Sequence, residues 1–302
     1  MQVLVIGYGS IGKRHAHILQ SLGCQVVLVT AQQVTEFTCY ASIIEALSNE
    51  SIQYVIIANP TALHYEALLL LIQCDYRGVV LVEKPLFSFI EKLPDHHIAA
   101  ILVAYNLRFH PLLIQARKII ENSKLITFST YVGQYLPDWR KHTDYRHCYS
   151  AKKELGGGVL RDLSHELDYA LWFCGPAQSI AATGGRLSEL EINSDDVYAV
   201  LMTCVACPVV NIQVNYLERQ PRREISMNTN KNTILVDLIT GKLFVDGKLH
   251  NEVTDGIAQT YLTQHKALLR KQFDLFCSYG EGEAVMKLIG NIEEVAKTNE
   301  WI

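Results

Sequence analysis

Apolar and polar positions along the first hundred residues switch between two periods. Val3 to Ile6 is a short β-branched run, Ile11 to Leu22 carries apolar residues at helical spacing, and Gln25 to Val29 is apolar and extended again. The same rhythm predicts a helix around Ile43 to Leu47, a strand at Tyr54 to Ala58, a helix at Leu63 to Ile72, and strands at Val79 to Val82 and Ala100 to Ala104. Alternation of this kind implies a parallel sheet with helices on both faces. After a helix at Leu112 to Glu121 the texture changes. Extended segments follow one another at Leu125 to Tyr135, Ala177 to Thr183, Val197 to Thr203, Val209 to Leu217, Arg223 to Asn228 and Thr233 to Asp237, with one helix near Leu160 to Phe173. That run reads as a mostly antiparallel, open sheet in a second, α+β domain. Helices return at Tyr261 to Cys277 and Glu283 to Thr298. The expectation is an α/β chain of two domains: a doubly wound parallel sheet over residues 1–120, and the α+β domain over 121–302, whose last helices can pack back on the first.

Composition narrows the function classes. At 302 residues and 49% hydrophobic, the chain can bury a large core. A formal charge of -4, from 27 basic and 31 acidic residues, gives no electrostatic reason to expect nucleic acid or an anionic membrane as a partner. Apolar runs such as Ala67 to Ile72 are far shorter than the ~20 residues of a membrane-spanning helix. The first residues pass straight into a strand pattern without a secretory signal, so a cytoplasmic location is expected. The eight cysteines are scattered, which in that compartment favours reduced, mostly buried thiols. The close pair Cys204 and Cys207 lies in an apolar, strand-like stretch where a three-residue offset would point the side chains to opposite faces; no metal site is expected.

Gly7-Tyr8-Gly9-Ser10-Ile11-Gly12 fits G-x-G-x-x-G and lies directly between the first strand and the first helix. In that context the first glycine permits a tight turn, the second lets backbone approach a pyrophosphate, and the third allows close helix packing. The phosphates then meet the positive helix N-terminus, with Ser10 and Ile11 in its first turn. This is the fingerprint of a Rossmann domain holding NAD or NADP. The acidic residue that usually ends the second strand is absent: the sequence reads Val29-Thr30-Ala31-Gln32-Gln33, so Thr30 is the candidate for the ribose and the choice between the two cofactors stays open.

Four further segments, in order along the chain, resemble the Gfo/Idh/MocA family, which includes glucose-fructose oxidoreductase and inositol dehydrogenase. They are Asn59-Pro60-Thr61 with His64, Glu83-Lys84-Pro85, Tyr105-Asn106-Leu107-Arg108-Phe109-His110-Pro111, and Gly156 to Asp168 with its Arg161-Asp162-Leu163-Ser164-His165 core. The resemblance covers nearly the whole chain. It implies that Asn59, Pro60, His64 and Glu83 lie along the cofactor, that Lys84 contacts both cofactor and reacting oxygen, that His165 is the general acid/base, and that Asn106 and Arg108 line the substrate. The commoner family form separates the aspartate and histidine by four positions rather than three, so aligning on the histidine puts Arg161 near the usual aspartate position. The shortened spelling resembles a subgroup associated with bacterial surface-sugar pathways, which implies a sugar or nucleotide sugar. A homodimer or homotetramer built on the second domain's sheet is also implied.

The chemistry can be argued separately. Moving a hydride from a carbinol carbon to nicotinamide requires removal of the hydroxyl proton and stabilisation of charge on that oxygen. Lys84, before a proline at the carboxyl end of a parallel strand, lies where open α/β sheets place ligands. Asp162 and His165 are three apart, so one helix would put both on one face, with Asp162 charging or orienting the imidazole and Asp168 extending that face. Trp139, Arg140, Tyr145 and Arg146 form a basic, aromatic loop suited to a phosphate or carboxylate with a stacked ring; the same charges suit a solvated loop paired with Asp138 and Asp144. The expected activity is that of an NAD(P)-dependent dehydrogenase or reductase on CH–OH groups of a sugar. Two alternatives share the scaffold: an NAD-dependent glycosidase without net redox change, and an inactive dinucleotide-sensing regulator.

Overall fold

The computed structural model describes residues 1–139 and 144–298. The chain divides into two compact units: Met1–Asn106 together with Tyr261–Glu283, and Leu107–Thr260 together with the residues from Ala284 onward. The division therefore falls earlier than residue 120, and a segment near the C-terminus belongs to the first unit.

In the first unit, strands β1 (Gln2–Ile6), β2 (Gln25–Val29), β3 (Thr38–Tyr40), β4 (Tyr54–Ile57), β5 (Val79–Val82) and β6 (Ala100–Val103) are parallel, in the order β6-β5-β4-β1-β2-β3. The near-continuous apolar runs of β1 and β4 are buried on both sides, as helices on both faces require. Helices α1 (Ser10–Ser21), α2 (Ile43–Asn49) and α3 (His64–Gln73) make the crossovers. Ser42 caps α2 by accepting from the Glu45 amide at 3.1 Å, while Glu45 reaches back to the Ala41 amide at 3.0 Å. The strand order reverses between β1 and β4, the switch point where such sheets bind their ligands at the carboxyl ends.

The second unit is built on helices α4 (Pro111–Ile120), α5 (Leu136–Trp139), α6 (Val159–Asp162) and α7 (His165–Cys174) and on strands β7 (Leu125–Gly133) to β14. Strands β8 (Ala177–Gly185), β9 (Val197–Cys204), β10 (Cys207–Asn215), β11 (Arg222–Thr229), β12 (Thr233–Asp237), β13 (Lys242–Val245) and β14 (Lys248–Glu252) join β7 in the order β14-β13-β12-β11-β7-β10-β9-β8. All described pairings are antiparallel except β7 with β10. Helix α7 lies on one face, against β7 and β10. It is fastened there by buried polar contacts: Thr130 Oγ1 and the Tyr169 hydroxyl lie 2.6 Å apart, Tyr169 donates to Glu166 at 2.9 Å, and Glu166 pairs with Arg223 at 2.9 Å. Two long helices follow, α8 (Gly256–Leu269) and α9 (Tyr279–Thr298), separated by the two-residue strand β15 (Cys277–Ser278), which runs antiparallel to β6. No helix among the described residues is long and apolar enough to cross a membrane.

Several local expectations are corrected. The helix expected from Leu160 to Phe173 is two, because Leu163 leaves helical geometry at φ -102° and ψ 31°. The helix expected to run to Cys277 stops at Leu269, where Lys271 adopts a left-handed φ of 57° and the Gln272 amide closes on the Ala267 carbonyl at 2.9 Å. Short strands β3, β13 and β14 carry too little pattern to be read. Cys204 and Cys207 do not point to opposite faces: the chain reverses at Val205-Ala206 and the two pair directly across the hairpin, both buried. Burial pushes the Cys204 thiol up to about 11 and raises that of Cys174, which neighbours both.

Candidate functional site

The β1–α1 turn follows from its glycines. Gly7 sits at φ +93°, and a Cβ there would come within 2.6 Å of the Asn59 amide, so only glycine lets this turn lie against the loop after β4. A Cβ on Gly12 would lie 2.1 Å from the Gly7 carbonyl oxygen, so α1 packs directly on the turn. Gly9 is different. Its φ of -70° and ψ of -172° suit any residue, and a Cβ on it would meet nothing within 4 Å. No atom of the described residues requires glycine at this position. The open face lies at the N-terminus of a twelve-residue helix whose first turn, with Ser10 and Ile11, holds no acidic residue. Those are the conditions for backbone to approach a pyrophosphate.

The loops around this face are tied to one another. His64, 1% exposed, places Nε2 3.0 Å from the Asn59 carbonyl and Nδ1 3.2 and 3.1 Å from those of Pro85 and Leu86. Burial lowers its pKa against the opposing pull of these carbonyls. The ring therefore fastens the Asn59-Pro60 loop to the Lys84-Pro85 segment, which corrects the expectation that it lies along the cofactor. The Asn59 side-chain oxygen is buried with no hydrogen-bond partner among the described residues, a polar atom ready for a ligand in that loop. Thr30 accepts from the Gln32 amide at 3.1 Å at the end of β2. Nearby, Tyr8 donates to Glu36 at 2.5 Å; burial first, and then this carboxylate, push the phenol up to about 12.

Glu83 and Lys84 leave β5 at the same sheet edge. Glu83 is buried, but its carboxylate turns back into the unit: Oε1 lies 2.8 Å from His15 Nε2, and Oε2 accepts from the Lys84 backbone amide at 3.1 Å. This corrects the expectation that the Glu83 side chain lies along the cofactor. Burial opposes its charge, yet His15 and Lys84 prevail and hold the carboxyl below its usual range. Lys84 is half-buried and joined to Pro85 by a cis peptide bond. Asn106, the last residue of the first unit, is 3% exposed.

In the second unit His165 opens α7 and is 8% exposed. Asp162 ends α6 and accepts from the Tyr216 hydroxyl at 2.6 Å. The Trp139 ring packs on Tyr216 with centroids 6.2 Å apart, so Trp139 and Asp162 come together through a tyrosine that carries no motif. Because a turn interrupts the helix between them, Asp162 and His165 do not share one helical face. Arg108, expected at the substrate, is instead buried at 2% and grips both oxygens of Asp168, with Nη2 to Oδ1 at 2.7 Å. A guanidinium so enclosed with its own carboxylate is part of the core. Arg161 pairs with Glu293 at 2.5 Å. Arg146 pairs with Asp144 at 2.7 Å and Glu191 at 3.3 Å, and the Tyr145 hydroxyl accepts from the Glu191 amide at 3.3 Å. Arg146 is thus paired with neighbouring carboxylates at the surface; Arg140 lies outside the described residues.

Sequence reasoning missed His15, His265, Glu36 and Tyr216. His15 had a signal: it falls on the apolar face of α1 with Gly12, Ala16 and Leu19. The others are joined to the site only by tertiary contacts.

Residues 1–101 match a family described as oxidoreductases with an NAD-binding Rossmann fold, and residues 113–235 match the Gfo/Idh/MocA C-terminal domain. The chain belongs to the Gfo/Idh/MocA family of oxidoreductases. It is 32% identical over 171 residues to an uncharacterized oxidoreductase of Synechocystis sp., a match covering 51% of this chain and only 44% of that protein. Among solved structures it resembles the WlbA dehydrogenase of Bordetella pertussis, in complex with NADH and UDP-GlcNAcA, at 17% identity and a TM-score of 0.83 over 99% of this chain and 96% of that one. It also resembles the UDP-N-acetylglucosamine 3-dehydrogenase GnnA of Acidithiobacillus ferrooxidans, at 17% identity and a TM-score of 0.80 over 99% and 98%. A levoglucosan dehydrogenase in complex with NADH and L-sorbose has 17% identity and a TM-score of 0.83 over 100% and 98%. At these identities the likeness is one of fold. The fingerprint turn, with its open Gly9 face and orphaned Asn59 oxygen, fits a nicotinamide dinucleotide.

Proposed function

We propose that the protein is an NAD-dependent dehydrogenase exchanging a hydride with a secondary alcohol, or the matching ketone, of a sugar or nucleotide sugar. The observation that carries this reading is the open face over Gly9 at the switch point of a sheet whose same edge carries Lys84. Bound there, nicotinamide supplies the hydride acceptor. Lys84 donates to the reacting oxygen and stabilises its developing charge, and His165 takes the hydroxyl proton as the carbonyl forms and returns it in the reverse direction. Overall, one hydride and one proton leave the CH–OH group. Asn106, Trp139 and Tyr145 remain candidates for holding the sugar. NAD is favoured over NADP because Glu36, held by Tyr8 beside the fingerprint, would repel a 2′-phosphate, and no arginine lies between Thr30 and Phe37 to receive one. The sugar classes bound or named for the structural relatives support the substrate class.

A homo-oligomer is part of the same proposal. One row across the second sheet reads Leu201, Asn211, Ser129, Ser226, Leu235, and both leucines are exposed on the face opposite α7. Short residues between two exposed leucines suit a flat face covered by a second copy. Leu201→Asp with Leu235→Asp should reduce the mass measured by light scattering to that of one chain. For the activity, Lys84→Ala and His165→Ala should each remove most turnover while leaving NADH binding nearly unchanged; normal turnover in either variant would refute the assignment.

A further inference from the structure

The buried carboxylate behind Lys84 ends a hydrogen-bonded chain that begins on β4 and runs through α8 and α1. His15 Nδ1 lies 2.7 Å from His265 Nε2, and His265 Nδ1 lies 3.5 Å from the Tyr54 hydroxyl on β4. His15 and His265 are fully buried. With His265 as a neutral imidazole, one assignment of donors gives every group a role. Tyr54 donates to His265, His265 donates through Nε2 to His15, and His15 donates through Nε2 to Glu83 Oε1. The Lys84 amide donates to Glu83 Oε2. Desolvation holds the His265 pKa well below its usual value, consistent with this neutral form. The Tyr261 ring packs edge-on against His15 at 5.6 Å, with the Arg14 guanidinium over that ring at 4.9 Å.

We propose that His265 is a positioning residue: by fixing the tautomer of His15 it keeps the Glu83 carboxylate supplied with a donor, and so sets where the Lys84 backbone and side chain sit. The inference rests on the reading that Lys84 acts at the reacting oxygen. A buried carboxylate needs hydrogen-bond donors to stay ionised. Without the His265 N–H, the His15 Nδ1 lone pair is left buried and unpaired, and a ring that turns to regain a donor takes its Nε2–H away from Glu83 Oε1. The carboxylate would then take up a proton or swing away, carrying the Lys84 amide with it. The same logic orients metal-ligating histidines through the group on their far nitrogen.

The test compares His265→Leu with His265→Gln, whose side-chain amide places an N–H where Nε2–H now lies. Two readouts are taken on NADH-saturated protein. One is competitive acetylation of Lys84 by acetic anhydride, read by peptide mass spectrometry with Lys13 as internal control. The other is kcat and KM with NAD and UDP-N-acetylglucosamine. His265→Leu is expected to change Lys84 labelling about threefold or more, with Lys13 unchanged. It should lower kcat by about ten- to a hundredfold, as small misplacements of a reacting group do, at little change in KM for NAD. His265→Gln is expected to restore both toward wild type. Unchanged Lys84 labelling in His265→Leu would overturn the proposal, as would a His265→Gln variant as perturbed as the leucine. If the leucine variant does not fold, wild-type-like Lys84 labelling in His265→Asn, which cannot place a donor at the Nε2 position, would overturn it equally. A wild-type protein without dehydrogenase activity would sink the functional reading alone, because the labelling result does not depend on turnover.

Discussion

Substituting Gly9 separates cofactor binding from folding. At Gly9 the backbone angles are φ -70° and ψ -172°, and the added methyl group meets nothing within 4 Å. Alanine is a poorer helix N-cap than glycine by some tenths of a kcal/mol, but it reduces unfolded-state entropy by about 0.4–1 kcal/mol at a compatible position. The two effects nearly cancel, so Gly9→Ala should change stability by less than about 1 kcal/mol. Binding should suffer more, because a methyl group on the open face holds the pyrophosphate away from the α1 amides. Weakening one charge-assisted hydrogen bond costs roughly 1.5–3 kcal/mol, which is about ten- to a hundredfold in Kd. Gly12→Ala should do the reverse. Its Cβ would lie 2.1 Å from the Gly7 oxygen, so α1 must shift, at a cost of about 1–3 kcal/mol or more in stability. Calorimetric titration with NADH and denaturant unfolding of both variants provide the comparison. Wild-type NADH affinity in Gly9→Ala, or a stability loss there matching that of Gly12→Ala, would refute the reasoning.

Asp168→Ala removes the carboxylate that the buried Arg108 guanidinium grips and should destabilise the protein by about 3–5 kcal/mol in urea unfolding; a loss below about 1 kcal/mol would show the pair to be dispensable. Tyr216→Phe removes a donor to the buried Asp162 and should cost about 1–3 kcal/mol by the same assay, whereas an unchanged midpoint would mean that this hydrogen bond adds nothing to stability. Lowering the pH should lower the melting temperature. Desolvation depresses the folded-state pKa of His110 to about 4 and those of His64 and His265 below 6.5, so the unfolded chain binds protons that the folded chain refuses. Their contribution is full above about pH 6.5 and declines as the pH falls toward the folded-state values, and a melting temperature that did not fall between about pH 7 and pH 4 would contradict it.

Much of the first unit was legible because its signals are local. A strand, three spaced glycines and an amphipathic helix fall within twenty-two residues; Gly7 and Gly12 have steric reasons within the chain, and Gly9 leaves an open face. Lys84 and His165 stand out as candidates because their motifs are contiguous. What could not be read is what the charged side chains pair with. Arg108 lies sixty residues from Asp168 in the chain and Asp162 lies fifty-four from Tyr216, so a spelling that suggests substrate ligands cannot reveal that these groups pair inside the second unit. The break at Leu163 escaped for a related reason: apolar spacing continues across it, and only backbone geometry divides α6 from α7. His265 illustrates the limit most sharply, since its partner His15 is 250 residues away.

The most direct test of the central claim follows the reduced-nicotinamide absorbance when the protein is mixed with NAD and UDP-N-acetylglucosamine or its uronic acid deuterated at the ring carbinol carbons. The account predicts sugar-dependent formation of NADH that carries the label and is lost in Lys84→Ala. Tight NADH binding without hydride exchange with any sugar or nucleotide sugar would contradict it and leave a dinucleotide-binding protein without dehydrogenase chemistry.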